Sequence, residues 1–188
     1  MMTNENRNLT STQKRMVSVW EQHMAAEFQK KSLEATMATM TAEPVVNHVP
    51  VMTGGVGREQ VAQFYGTYFI PNHPRDTEVR SISRTVGHDR IVDEIIHQFT
   101  HNIAMPWILP GIPPTGKKVT VAVVVVIEFE DGKISAERIY WDQASVLTQI
   151  GLLDPKRLPV VGKEEAAKVL NPRNQPSNKL IEQATQQR

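Results

Sequence analysis

Lys117 to Trp141, "KKVTVAVVVVIEFEDGKISAERIYW", decides the fold. Its first half is β-branched and apolar at both parities, the pattern of a strand covered on both faces rather than one. Asp131-Gly132 is a two-residue turn signal, and the chain returns through "KISAERIYW" as the second arm of a hairpin. Working backwards, "TEVRSISRTV" and "RIVDEIIHQFT" are β-rich runs separated by "GHD", which adds a second antiparallel pair. A sheet of about four long strands follows from these alternations.

The N-terminal half changes period. From Thr12 to about Lys31, Met16, Val19, Trp20, His23, Met24, Glu27 and Phe28 recur at helical spacing, and Leu33, Met37 and Met40 repeat the pattern in "SLEATMATM". "EPVVNHVP" suits a brief edge strand bracketed by prolines, "TGGVG" breaks the chain, and "REQVAQFYGTYFI" is a third amphipathic helix. Residues 1–11 read as a polar tail, 12–160 as one α+β domain, and 161–188 as a short helix followed by a polar C-terminal tail.

Charge and composition exclude several functions. With 21 basic and 20 acidic residues there is no electrostatic footprint for nucleic acid. The absence of cysteine removes disulfides, thiol nucleophiles and thiolate metal sites. The polar start is no secretory signal and no apolar run reaches membrane-spanning length, so a soluble, cytoplasmic protein is expected. "GIPPTGKK" imitates a phosphate loop, but Lys118 stands where Ser or Thr is needed and two prolines remove donors. His97 and His101, four apart on a strand, are separated by roughly 13 Å along the chain and cannot share one metal. "GGVG" lacks the setting of a dinucleotide fingerprint. No metal and no cofactor are expected.

"THNIAMPWILPGIPPTGKKV", the "DGKI" hairpin and the closing "WD" resemble the SnoaL-like polyketide cyclase family of the nuclear transport factor 2-like superfamily. Thr100, His101 and Gly111 to Gly116 are similar to the family's "THTG…GIPPTG" stretch, and the resemblance spans roughly Thr12 to Leu153. It implies a cone, a curved antiparallel sheet packed against three N-terminal helices. It also implies a cofactor-free enzyme in which an acidic residue closing the last strand, here Asp142, acts as base in an aldol cyclisation. The dienelactone hydrolase label carried by some relatives does not suit a chain lacking both the cysteine such a hydrolase uses and a "GxSxG" elbow.

Asp142 carries two open readings, a catalytic base beside Tyr140 and Trp141 or the N-cap of the helix "QASVLTQI". His101 shares a parity with His97 and is either an oxyanion donor or a strand-end histidine. Glu94 is a pocket acid or a solvent-facing strand residue, and His48 a cavity group or a turn histidine satisfied by backbone. Trp107, in a long apolar loop, is a lid or a buried contact, and with Tyr140 and Trp141 it is a candidate cavity wall. The expected function is a cyclase- or isomerase-like enzyme that abstracts a proton next to a carbonyl of a small hydrophobic substrate. The rival is a non-catalytic ligand- or partner-binding module of the same fold. Because three helices cover one face of the sheet, a second copy is expected on the other, giving a homodimer through the sheet, the alternative being that the C-terminal segment folds back over that face.

Overall fold

The computed structural model describes residues 9–186, so most of the N-terminal tail read from the sequence lies outside the described residues. Helix α1, Ser11–Met24, starts at a reciprocal capping box: the Thr10 hydroxyl accepts from the Gln13 amide while the Gln13 side chain accepts from the Thr10 amide. The helix widens into a π-helical segment, Ala25–Lys30, and ends where Lys31 turns left-handed at φ 50°. Helix α2, Leu33–Ala38, is capped by Ser32. It is shorter than its periodicity suggests, because Met40 already belongs to a strand. Helix α3, Arg58–Gln63, continues into a second π-helical segment, Phe64–Phe69, and a 3-10 turn, Ile70–Asn72.

Six strands form one sheet: β1 Met40–His48, β2 Thr53–Val56, β3 Glu78–Val86, β4 Arg90–Thr100, β5 Lys118–Glu130 and β6 Lys133–Trp141, in the order β2-β1-β6-β5-β4-β3. The two hairpins are present. At the tip of β5–β6, Asp131 and Gly132 both take positive φ, 50° and 76°, as the favoured two-residue hairpin turn requires. The sheet is curved, unclosed and mixed, since β1 runs parallel to β6 while the other pairings are antiparallel. The "TGGVG" segment is itself strand β2, where the bare Gly54 Cα passes against the Val46 carbonyl and a Cβ would lie 1.9 Å from that oxygen.

The buried face follows the pleat. Val119, Val121, Val123, Val125 and Ile127 point inward and are at most 6 % exposed, whereas Val124 is 37 % exposed and Ala122 and Val126 are half-buried. The apolar run therefore lines a core with one parity and leaves the other on an open face, beside the 41 %-exposed Tyr140. Helix α4, Gln143–Gln149, and helix α5, Glu164–Leu170, close the edge of β5 that β6 does not reach. There the Gln149 side chain accepts from the Thr120 amide and donates to its carbonyl, and Glu165 Oε1 accepts from the Ala122 amide. These side chains replace the missing ladder partner. Helix α6, Lys179–Gln186, is largely exposed. Among the described residues no helix is long and apolar enough to cross a membrane.

Candidate active site

Between the curved sheet and the N-terminal helices lies a cavity of about 70 Å³, walled largely by apolar and aromatic side chains. All three tryptophans of the chain, Trp20, Trp107 and Trp141, line it. Trp20 is fixed by its indole, which donates to Asp93 Oδ2 at 2.7 Å, while Arg84 grips both oxygens of the same carboxylate. That accounts for a buried aspartate in β4 without assigning it chemistry.

One wall of the cavity is polar. Glu27 from the π-helical segment that follows α1, Tyr65 from the second π-helical segment and Glu137 from β6 form it, with His23 from α1 behind them, each of the four at most 4 % exposed. Two of the four therefore sit on π-helical backbone, a geometry often found at functional sites because the wider turn re-aims side chains. His23 and Glu27 stand one helical turn apart and face the same way. Nε2 of His23 is 3.0 Å from Glu27 Oε1, 3.1 Å from Glu137 Oε1 and 3.2 Å from the Tyr65 hydroxyl, which donates to Glu137 Oε1.

The proton positions follow from the partners on the far side of the ring. The Thr39 hydroxyl donates to the Thr36 carbonyl at 2.6 Å, so its oxygen accepts from His23 Nδ1, also at 2.6 Å. With Nδ1 protonated, Nε2 faces two carboxyl groups and becomes the second N–H of an imidazolium. Burial by itself would lower the His23 pKa, but the charges of Glu137 and Glu27 outweigh it and raise it to about 10. Burial pushes Glu27 above the usual carboxyl range, against the pull of His23, and burial also pushes the Tyr65 phenol up, so Tyr65 remains a donor. Glu27, whose hold on a proton burial strengthens, thus lies hydrogen-bonded to His23 next to an apolar cavity. His23, Glu27 and Glu137 also offer three ligand atoms within 4.8 Å of one another, a set able to take a divalent cation. The imidazolium and the Tyr65 hydroxyl already satisfy the carboxylates without an ion.

The residues singled out from the sequence separate into two groups. His48, Trp107 and Trp141 line the cavity. Asp142, His101, Glu94 and Tyr140 do not belong to its walls. Asp142 is exposed and caps α4, its Oδ1 accepting from the Ser145 amide at 3.1 Å. Its charge reaches Glu165, which burial first and Asp142 next push up to about 7, against the Ala122 hydrogen bond. His101 is buried at the base of the 101–117 loop, with Nδ1 against the Thr115 hydroxyl at 3.2 Å and its carbonyl accepting from Thr115 and Gly116. Glu94 accepts from Ser83 on the outer face of the sheet. Trp107 is a packed plug, 4 % exposed, with its indole donating to the Asn72 carbonyl and its own carbonyl accepting from Thr53.

A SnoaL-like domain model matches residues 20–137, more than half of the chain, and ends at Glu137. The chain belongs to the SnoaL-like domain family. The fold of this SnoaL-like chain is that of solved relatives. A Jannaschia sp. CCS1 protein assigned as a SnoaL-like polyketide cyclase superposes with a TM-score of 0.63 at 19% identity, covering 79% of this chain and 100% of that one. A Catenulispora acidiphila protein with a ketosteroid isomerase-like fold, solved with trimethylamine, gives 0.54 at 17% identity, covering 73% and 93%. An M. tuberculosis LEH-like epoxide hydrolase gives 0.54 at 16% identity, covering 73% and 90%. No curated protein matches the SnoaL-like chain in sequence. The α+β architecture is therefore the nuclear transport factor 2 and ketosteroid isomerase-like one.

The sequence reading passed over Glu27, Tyr65 and Glu137 as site residues. A signal was available for Glu27, because it stands four residues after His23 on the Trp20 face of an amphipathic helix, placing two titratable groups toward a core. Glu137 shares the parity of Ile139 and Trp141, but the bulge that skips Ser135 breaks the alternation, so counting from the hairpin turn through Ile134 puts it on the outer face.

Proposed function

We propose that the cavity is the active site of a cofactor-free enzyme that abstracts a proton next to a carbonyl of a small, largely apolar substrate. The observation that carries it is a carboxylate, Glu137, in the cavity wall, hydrogen-bonded to a donor that stays protonated, Tyr65, and near a carboxyl group, Glu27, biased toward its protonated form. Glu137 takes the proton as the C–H bond breaks, and the electron pair moves into the carbon–carbon double bond of an enolate. Tyr65 or Glu27 donates a hydrogen bond to the oxygen where charge develops. Glu137 returns that proton either to the γ-carbon of the dienolate formed from a β,γ-unsaturated ketone, an isomerisation, or to the alkoxide formed when the enolate attacks a second carbonyl, an aldol ring closure. Either path regenerates the carboxylate, so neither redox group nor metal is required by the balance. His23 fixes both carboxyl groups and supplies the positive charge that makes their close approach tolerable. Relatives of the same fold are assigned as a polyketide cyclase and an epoxide hydrolase, which is compatible with carboxylate chemistry in such a cone.

A ligand-binding module without catalysis is favoured by a different observation: about 70 Å³ is small for a substrate, and each cluster member already has an internal partner. Deuterium exchange at the α-carbons of cyclohexanone in D2O, followed by proton NMR, separates the two. Catalysis predicts exchange above the buffer rate that Glu137→Gln lowers by roughly two to four orders of magnitude. Exchange unchanged in Glu137→Gln would assign the cavity to binding.

A further inference from the structure

His48 ends β1 and His97 lies near the end of β4, with β6 and β5 between them in the sheet. In a flat sheet three strand spacings would hold them roughly 14 Å apart. Curvature brings both rings to one indole instead: their centroids lie 5.5 Å and 5.7 Å from that of Trp107. Both line the cavity, at 3 % and 6 % exposure. Each keeps a ring nitrogen, Nδ1 of His48 and Nε2 of His97, with no hydrogen-bond partner among the described residues. Buried polar atoms are ordinarily paired, so two such atoms in one cavity wall mark a place where a partner is missing.

We propose that His48 and His97 form a second polar subsite of the cavity, one that grips an uncharged oxygen of the ligand, a carbonyl or a hydroxyl, against Trp107. This deepens the reading of the cavity as a substrate site and rests on it. A neutral imidazole presents one N–H donor and one acceptor nitrogen, so either ring can donate to a carbonyl oxygen, and a hydroxyl can donate to one ring while accepting from the other. Burial keeps both rings from charging, and His73, stacked on the other side of Trp107 at 5.1 Å, is held neutral in the same way. The subsite therefore has no cation to offer a carboxylate or phosphate. The ligand class is an uncharged compound with oxygen at the histidine end and an apolar body along the tryptophans.

Cyclohexanone and cyclohexanecarboxylate share a ring and differ in charge, which makes them suitable probes. Titrated at pH 7.5 into 15N-labelled protein, cyclohexanone should shift the ring nitrogens of His48 and His97 and the Trp107 indole resonance. Cyclohexanecarboxylate at equal concentration should leave them in place. His48→Phe and His97→Phe should each weaken cyclohexanone binding about tenfold, the scale of one hydrogen bond in a dry site, while Asp142→Asn, outside the cavity wall, keeps affinity within a factor of about two. Should a Phe variant fail to fold, His97→Asn, which retains a donor of shorter reach, serves in its place with the same loss expected. The proposal is overturned by equal binding of the carboxylate, by cyclohexanone shifts that spare both histidines, by no cyclohexanone binding at all, or by folded variants with undiminished affinity. Loss of the catalytic reading looks different: exchange is then insensitive to Glu137→Gln while the histidine shifts persist.

Discussion

Nε2 of His23 lies 3.1 Å from Oε1 of Glu137, so the first helix and the last strand are joined through a charge pair sealed from solvent. Removing one member of such a pair is costlier than never having had it, because the other is left buried and uncompensated. His23→Ala should destabilise the fold by about 3–5 kcal/mol in urea unfolding. A double variant, His23→Leu with Glu137→Leu, should recover part of that loss. Dialysis against a chelator should leave the melting temperature of the wild type unchanged, since the imidazolium and Tyr65 already serve the carboxylates.

The same pair sets an alkaline limit. The His23 pKa is about 10 in the folded state against 6.5 for a free ring, so its stabilisation is fully present below pH 6.5 and is lost as pH rises through 10. Thermal melts between pH 8 and 11 should show a decline that His23→Gln flattens.

Three other histidines set an acid limit of opposite sign. Burial lowers His48 and His97 to about 3 and His73 to about 4, below the 6.5 of a free ring. Their neutral burial stabilises the fold above pH 6.5, and this contribution is lost as pH falls toward 4, at about 1.4 kcal/mol per pH unit and group. His73→Phe should make the melting temperature fall less steeply between pH 6.5 and 5, and an unchanged slope would show that these rings do not govern acid unfolding.

Asp142 accepts the Ser145 amide and is exposed, so Asp142→Asn, which caps equally well, should keep the melting temperature within a few degrees and leave α-proton exchange intact. Asp142→Ala should cost about 1 kcal/mol. A fall in exchange by orders of magnitude in the Asn variant would return the catalytic role to Asp142.

Val124 and Tyr140 stand exposed on the outer face of the sheet beside half-buried Val92, Ala122 and Val126, and a second copy there would cover them. Light scattering should give twice the 21.2 kDa chain mass, and Val124→Lys should halve it without loss of fold. Val123→Lys and Val125→Lys would instead place charge in the cavity wall and unfold the chain.

Much of the architecture was legible because it rests on local patterns. The Asp131-Gly132 turn needs two positive φ angles, the alternation of Val119 to Ile127 needs only the pleat, and the Thr10 box needs four consecutive residues. The helical period through Met16, Trp20 and His23 likewise named a core face. The sequence by itself therefore determined the N-terminal helices and the two hairpins, while a run apolar at both parities left open which parity of β5 turns inward. Tertiary structure alone decided the site. Asp142 and Glu137 are five residues apart on one strand and its exit, but a cap draws the first outward, while a bulge and the sheet's curvature turn the second inward to meet His23, Glu27 and Tyr65. Those four come from segments far apart in the chain, and no local period encodes which of its carboxylates a cone will enclose.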